Sequence, residues 1–139
     1  MFVSLHGPGA GGEEGPLRGC VGSLDLAEDL RLEDEVGRVA VSSATADPRF
    51  APLRSAEVEN LDIAVYLLDP PEEVEGPADL DPRKYGIIVS GRRARKALLL
   101  PDLPGLDTAE RQLEAARRKA GLDSTDEISI QRFTARIIS

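Results

Sequence analysis

The chain is poor in the residues that build disulfide frameworks, zinc sites and aromatic binding surfaces. Its 139 residues include one cysteine, one histidine, no tryptophan, two tyrosines and three phenylalanines. One cysteine excludes an internal disulfide and suits a reducing compartment, so we expect a cytoplasmic protein. Zinc sites usually draw three or four ligands from cysteine and histidine, so no metal site is expected. Few aromatic rings argue against base stacking with single-stranded nucleic acid.

Long hydrophobic runs are also missing. No apolar stretch reaches the ~18 residues that a membrane span needs, so we expect no membrane segment. The length predicts a single domain over residues 1–139. The net charge of −8 argues against nucleic-acid binding by the whole surface. Residues 1–82 carry a net charge of −13 and residues 83–139 one of +5. Either the two parts attract each other within one fold, or the second presents a basic face to an anionic ligand or acidic partner.

The first half of the chain predicts a hairpin, a helix and a strand. Phe2–Leu5 and Leu17–Leu24 are typical of paired strands around a loop rich in glycine. Apolar residues at helical spacing follow the hairpin and predict a helix. This helix should end before Asp47-Pro48, since the residue before a proline disfavours helical conformation. The prediction rests on Leu26, Leu30, Val36 and Ala40. One helical turn over 55–60 and an alternating strand over 61–67 complete this half.

The second half repeats that order. The acidic stretch 72–82 is expected to leave the core, and residues 86–90 and 96–100 predict a hairpin. Asp107 is expected to cap a helix that ends at Gly121. Ile128–Ile138 predicts one last strand, with a change of apolar parity that a bulge or burial of both faces would explain.

Hairpin, helix and strand thus occur over residues 2–68 and again over 86–138. The expected fold is α/β, of the α+β kind. Two related β-β-α-β halves would share one curved, largely antiparallel sheet, with helices packed on it.

Cys20 is the first candidate functional residue. Gly19 and Gly22 flank it, and glycines allow a backbone or a ligand to come close. Arg18 lies two residues away, on the same strand face, and would favour a thiolate. Cys20 is therefore either a nucleophile or a small buried hydrophobic residue.

His6 is the only histidine that could serve as a base for Cys20. Symmetric hairpin pairing places Cys20 opposite Phe2 or Val3, so His6 would lie roughly 10 Å away at about 3.4 Å per residue. We therefore interpret His6 as a polar loop residue. The neighbouring Gly7–Gly12 stretch lacks the Gly-Lys-Ser/Thr of a phosphate-binding loop and is interpreted as a flexible tip.

Two further groups leave alternatives open. Asp47 and Arg49 either join a polar site near Cys20, or end the helix and form a local ion pair. Four cations crowd residues 92–96. They either grip phosphates, or protect an edge strand from aggregation.

Several segments together resemble the AMMECR-type domain family, named from the region of Alport syndrome, mental retardation, midface hypoplasia and elliptocytosis. The resemblance lies in Phe2-Val3-Ser4-Leu5, Leu17-Arg18-Gly19-Cys20-Val21-Gly22-Ser23, Asp47-Pro48-Arg49-Phe50-Ala51-Pro52-Leu53, Leu100-Pro101 and Arg118-Lys119-Ala120-Gly121-Leu122. It implies an α/β fold of two related halves around one sheet, in a cytosolic protein. In prokaryotes it implies association with a Memo-like protein and a radical SAM protein.

Two departures from the family pattern stand out. Members usually carry a helical segment before the first strand, whereas this sequence begins at that strand. Any apolar surface that such a segment covers is expected here to be polar or hidden by a partner. Val39-Ala40 stands where an Asn-Ala pair is usual.

The function predicted is that of an accessory module without a known cofactor. Its pocket, for a ligand or a partner protein, would be built from Arg18, Gly19, Cys20, Gly22, Asp47, Arg49 and Phe50. One alternative is an enzyme with Cys20 as its nucleophile. Another is nucleic-acid binding through residues 92–96.

Overall fold

The computed structural model describes residues 1–24 and 31–139, which form two compact units. Unit 1 comprises Met1–Leu67 with Arg136–Ser139, and unit 2 comprises Leu68–Ala135. The strands are β1 (Phe2–His6), β2 (Leu17–Gly22), β3 (Asp62–Leu68), β4 (Glu72–Val74), β5 (Gly86–Ser90), β6 (Lys96–Leu99), β7 (Ser129–Phe133) and β8 (Ala135–Ile138). The α-helices are α1 (Leu32–Thr45), α2 (Ser55–Val58) and α3 (Ala109–Ala120), and short 3-10 helices occupy Pro77–Asp79 and Arg92–Ala94.

The strands form two four-stranded sheets, in the orders β2-β1-β3-β8 and β4-β7-β5-β6. The expected α/β class with antiparallel pairing is confirmed. The expectation of one curved sheet is wrong, because the chain changes sheet after β3 and again after β7. Each hairpin and the strand after it follow one order, β2-β1-β3 and β6-β5-β7. A single domain with halves 2–68 and 86–138 stays a prediction.

The chain passes from one sheet to the other at Asp69 and at Thr134, and these two residues are hydrogen-bonded to each other. The backbone N–H of Asp69 donates to the carbonyl of Thr134 (2.9 Å), and the Thr134 hydroxyl donates to the Asp69 carboxylate (2.7 Å). The single strand expected over Ile128–Ile138 is therefore wrong, since the chain divides into β7 and β8 at Thr134. Its apolar parity changes there because each strand belongs to a different sheet.

The acidic stretch after β3 also differs from expectation. Its first part, Glu72–Val74, pairs with β7 and forms the edge strand of the second sheet. Glu72 lies opposite Arg132 and forms an ion pair with it, and such cross-strand charge pairs stabilise a sheet. Its acidic composition hid this strand from the sequence pattern.

In unit 1, α1 packs on one face of the first sheet. Val3 and Leu5 of β1 are buried in a core cluster with Val39 of α1. The helix ends at Thr45, before Asp47-Pro48, as the sequence predicted. The expected apolar positions Leu26 and Leu30 lie outside the described residues.

In unit 2, α3 packs on β5 and β6. Ile87 and Val89 are buried in a cluster with Ala116 of the helix. The N-cap of α3 is Thr108, whose hydroxyl accepts a hydrogen bond from Arg111 N–H; Asp107, the expected cap, instead forms an ion pair with the Arg111 side chain. The helix ends at Gly121 in the left-handed conformation (φ 73°), as the sequence predicted.

None of the helices in residues 1–24 and 31–139 has both the length and the apolar character required to cross a membrane.

Candidate functional site

A β-bulge sets the position of Cys20 in the first sheet. His6 pairs with Leu17, but the register shifts between Leu5 and His6. As a result, Ser4 lies directly opposite Cys20. If the strands continued from the His6–Leu17 pair without this shift, Val3 would lie opposite Cys20.

This shift decides which face of the sheet carries the thiol. The expectation that Cys20 lies opposite Phe2 or Val3 is wrong, and the bulge is the physical reason. Val3, fully buried, belongs to the face that packs on α1, whereas Ser4 belongs to the other face. Residues paired across a sheet share a face, so Cys20 lies on the face away from α1 and is half-buried there.

The backbone of Cys20 is bound by two side chains that follow α1. The Cys20 N–H donates to Asp47 Oδ2 (2.9 Å), and Arg49 Nη2 donates to the Cys20 carbonyl (3.3 Å). Because β2 is the edge strand of this sheet among the residues that the structure describes, no described strand lies beside these two peptide groups to pair with them. We call this arrangement the Asp47–Arg49 clamp.

The two clamp residues also bind each other. Arg49 Nε donates to Asp47 Oδ1 (3.0 Å), Arg49 Nη2 to Oδ2 (2.8 Å) and the Arg49 N–H to Oδ1 (3.0 Å). The Asp47 side chain is 3% exposed, and that of Arg49 is 56% exposed. Hydrogen bonds from the Arg49 side chain are the main reason that the pKa of Asp47 lies far below its usual range, although burial alone would raise it. The carboxylate is therefore charged at neutral pH.

A rigid turn presents Phe50 beside the clamp. The Phe50 N–H donates to the Asp47 carbonyl (3.2 Å), and Leu53 N–H donates back to Ala44 of α1 (2.8 Å). Pro48 sits at the second position of this turn, where its fixed φ is favourable. The order of this segment is thus built into its sequence.

Two arginines flank the ring of Phe50. The Cζ atom of Arg49 lies 5.4 Å from the ring centroid and that of Arg18 lies 6.0 Å from it. Arg18 donates to both carboxylate oxygens of Glu57 (3.1 and 3.3 Å). The backbone hydrogen bond from Arg54 is the largest cause that lowers the pKa of Glu57, and the Arg18 contacts lower it further. The structure thus brings Arg18, Cys20, Asp47, Arg49 and Phe50 into one connected group.

The two glycines of the motif are explained by close backbone contacts. A Cβ atom on Gly19 would lie 2.0 Å from the carbonyl oxygen of Ser43 in α1, and one on Gly22 would lie 2.2 Å from that of Met1. Both positions therefore exclude a side chain for packing reasons. A role of these glycines in binding stays a prediction.

Sequence reasoning missed a second group, around His6. Ser4 Oγ lies 2.7 Å from His6 Nε2, and Glu14 Oε1 lies 3.2 Å from the same nitrogen. His6 Nδ1 lies 3.0 Å from the carbonyl oxygen of Gly15. The spacing of Ser4 and His6, two apart on a strand, was the available signal that they share a face. The loop that supplies Glu14 and Gly15 carries no such signal.

The basic turn lies in unit 2 and is partly engaged within the chain. Arg92 forms an ion pair with Asp126 (2.8 Å), and Arg95 donates to the Gly121 carbonyl (2.7 Å). Arg93 and Lys96 are exposed. An open cleft on α3 also lies in unit 2, and its lining includes Leu113, Arg117 and Leu122. The residues of the pocket predicted around Cys20 lie in unit 1.

Comparison with known proteins identifies the family. The AMMECR1 family model matches residues 1–138. A Thermotoga maritima protein is 42% identical over 96% of this chain and 73% of its own length, and a Clostridium acetobutylicum protein is 41% identical over 96% of this chain but only 26% of its own length.

A solved structure shows the same fold. The crystal structure of an uncharacterised protein from Pyrococcus horikoshii superposes with a TM-score of 0.80 at 31% identity, covering 98% of this chain and 70% of that one. The family match spans nearly the whole chain and agrees with the two motifs that meet at Cys20. The chain therefore belongs to the AMMECR1 family.

Proposed function

We propose that this chain is an accessory module that binds a partner protein through the turn carrying Arg49 and Phe50. The observation that supports it is the state of Arg49. Its guanidinium is fixed by Asp47 on one side and by the Phe50 ring on another, yet more than half of the side chain is exposed. Arginine and aromatic residues held in this way are typical interface anchors.

The shape of the turn favours a protein over a small molecule as the occupant. Pro48, Ala51 and Pro52 are exposed around the two anchors, so the turn forms a projecting surface. Two prolines and the clamp fix its conformation before binding, which reduces the entropy lost on association. The Memo-like and radical SAM proteins that the family resemblance implies are the first partners to test.

The turn variant Phe50→Ala tests the proposal, because it removes an anchor and leaves the clamp in place. A central aromatic anchor contributes about 2 kcal/mol or more, so we expect binding roughly 30-fold weaker or worse. Arg93→Ala, an exposed residue in unit 2, is the matched control. The assay is retention of a co-purified partner, followed by calorimetry with the purified pair. Equal affinity of the wild type and Phe50→Ala would rule out this surface.

A second candidate function uses Cys20 as a nucleophile. The thiol lies on the face away from the apolar core, and charge on Cys20 contributes, after the larger effect of Asp47, to raising the pKa of Arg49. The reciprocal attraction favours the thiolate. Iodoacetamide should then label Cys20 in the folded protein. A thiol that reacts only in denaturant would eliminate this candidate.

A further inference from the structure

The hydrogen bonds of His6 fix which of its nitrogens accepts a proton. A backbone carbonyl can only accept, so the contact with Gly15 requires a proton on His6 Nδ1. In the neutral ring Nε2 then carries the lone pair, and the Ser4 hydroxyl donates to it at 2.7 Å. This is the arrangement in which an imidazole takes a proton from a hydroxyl.

Both groups are shielded from solvent, and a carboxylate lies ready for the charged ring. Ser4 is 4% exposed and the His6 side chain 13% exposed. Glu14 Oε1 lies 3.2 Å from Nε2. It has no hydrogen to share with a neutral Nε2, but it accepts one once that nitrogen is protonated. The carboxylate therefore favours the protonated ring, the state that proton transfer produces.

The clamp brings Cys20 close to Ser4. Its hydrogen bonds turn the N–H and C=O of Cys20 away from β1. In an antiparallel ladder this makes Ser4 and Cys20 a non-hydrogen-bonded pair, the closer kind, with Cα atoms about 4.5 Å apart and side chains on one face. The order along the sheet is therefore thiol, hydroxyl, imidazole.

We propose that Ser4 and His6 are the proton acceptor for the Cys20 thiol. The proposal rests on the second candidate function above and names its base. The Cys20 Sγ–H proton passes to Ser4 Oγ as the Ser4 hydroxyl proton passes to His6 Nε2. A thiolate and an imidazolium result, and the thiolate sulfur then bonds to an electrophilic carbon while the leaving group departs with its electron pair.

Charged groups in the described part of unit 1 support that charge separation. Glu14, and Asp62 opposite His6 on β3, are acidic and favour the imidazolium. Arg49 favours the thiolate, and Arg18 lies two residues along β2. Asp47 opposes the thiolate, but its charge is offset by Arg49.

Iodoacetamide alkylation against pH tests the proposal, and one cysteine means that the label reports Cys20 alone. The wild type should show a midpoint below the ~8.5 of an ordinary thiol. Ser4→Ala and His6→Gln should each raise that midpoint. A rise of one pH unit lowers the thiolate fraction at pH 7 about tenfold, and the better nucleophilicity of a more basic thiolate reduces the loss of rate to about threefold. Ser42→Ala is the control, because that hydroxyl bonds only within α1.

The second readout is the His6 ring itself. The chain has one histidine, so its ring C–H signals in NMR can be followed without overlap. Removing the thiolate by Cys20→Ala should change the chemical shifts of that ring at neutral pH, because the imidazolium loses its counter-charge.

The outcomes separate this inference from the functions on which it draws. A raised alkylation midpoint in Ser4→Ala and His6→Gln, together with a changed His6 ring spectrum in Cys20→Ala, supports it. Superimposable alkylation profiles of the wild type and His6→Gln overturn it and leave Cys20 a nucleophile without this base. Labelling only in denaturant overturns both, and neither result bears on partner binding through Phe50. If Ser4→Ala fails to fold, His6→Gln alone decides.

Discussion

Replacement of either clamp residue tests how strongly Asp47 and Arg49 hold β2. Arg49→Ala removes the two side-chain hydrogen bonds to the Asp47 carboxylate and the one to the Cys20 carbonyl. It leaves a carboxylate that is 3% exposed with only two backbone donors, from Cys20 and from position 49. Asp47→Asn instead keeps the guanidinium and places an amide group against hydrogen-bond donors.

The magnitude follows from burial. Removal of one partner from a fully buried ion pair costs about 3–5 kcal/mol. Arg49 is more than half exposed, so water already screens the pair, and we expect about 2–3 kcal/mol for Arg49→Ala. Asp47→Asn should cost about 2 kcal/mol, since the Cys20 N–H loses a charged acceptor. The double variant should cost less than the sum, by about 1–2 kcal/mol.

The pH dependence has a definite sign. The pKa of Asp47 is lower in the folded protein than the ordinary value of about 3.9 expected after unfolding. The clamp therefore contributes its full stability above that ordinary value and loses it as the pH falls toward the folded value. The stability gap between the wild type and Asp47→Asn should be widest near neutral pH and should narrow in acid.

Urea unfolding at neutral pH and in acid measures the free energy of unfolding of the wild type, Arg49→Ala, Asp47→Asn and the double variant. Glu114→Gln, which breaks an exposed ion pair with Arg118, is the control and should leave the midpoint almost unchanged. Small and additive effects of Arg49→Ala and Asp47→Asn, or a gap that widens in acid, would refute the reasoning.

Two further substitutions test the packing around the site and the second unit. Gly19→Ala should destabilise the protein by about 1–3 kcal/mol, because its Cβ would meet the Ser43 carbonyl and β2 would have to leave α1; the thermal midpoint measures it, and an unchanged value would show that the helix yields freely. Thr108→Ala should cost about 1 kcal/mol through loss of the α3 cap, whereas Asp107→Ala should cost less; equal losses would contradict the assignment of the cap.

The sequence was sufficient to predict most helices and strands and the contact between two segments, but not the register in which β1 and β2 pair. Hydrogen bonds join the segments at Cys20 and Asp47, as one interpretation required, and Arg49 also forms the local ion pair with Asp47 that the other required. That these residues form a functional site stays a prediction. Short apolar segments on either side of glycine-containing turns located both hairpins. They gave no sign of the bulge before His6, since an extra residue in an edge strand depends on how α1 and the loop pack.

The same limit explains the error about the sheet. Alternation reports that a residue lies in a strand and which neighbours share its face, but not which sheet receives that strand. The change of apolar parity near Thr134 was visible in the sequence. The two explanations that we considered, a bulge and burial of both faces, were both local. The actual cause is the contact with Asp69, 65 residues away in the chain. Contacts at that range leave no periodic trace.

The family motifs contain residues that are needed for folding and residues that are available for function, and the structure distinguishes the two. Folding alone accounts for Asp47 and Arg49, because the clamp binds the backbone of the edge strand β2. Folding also accounts for Gly19, because the backbone of α1 approaches it too closely for a side chain. Cys20 supplies only its backbone to that clamp, and Phe50 supplies its ring to the outside of the turn. A serine or alanine in place of Cys20 would serve the clamp equally well. The functional argument therefore depends on the thiol and the ring, and those are the groups that the labelling and binding experiments address.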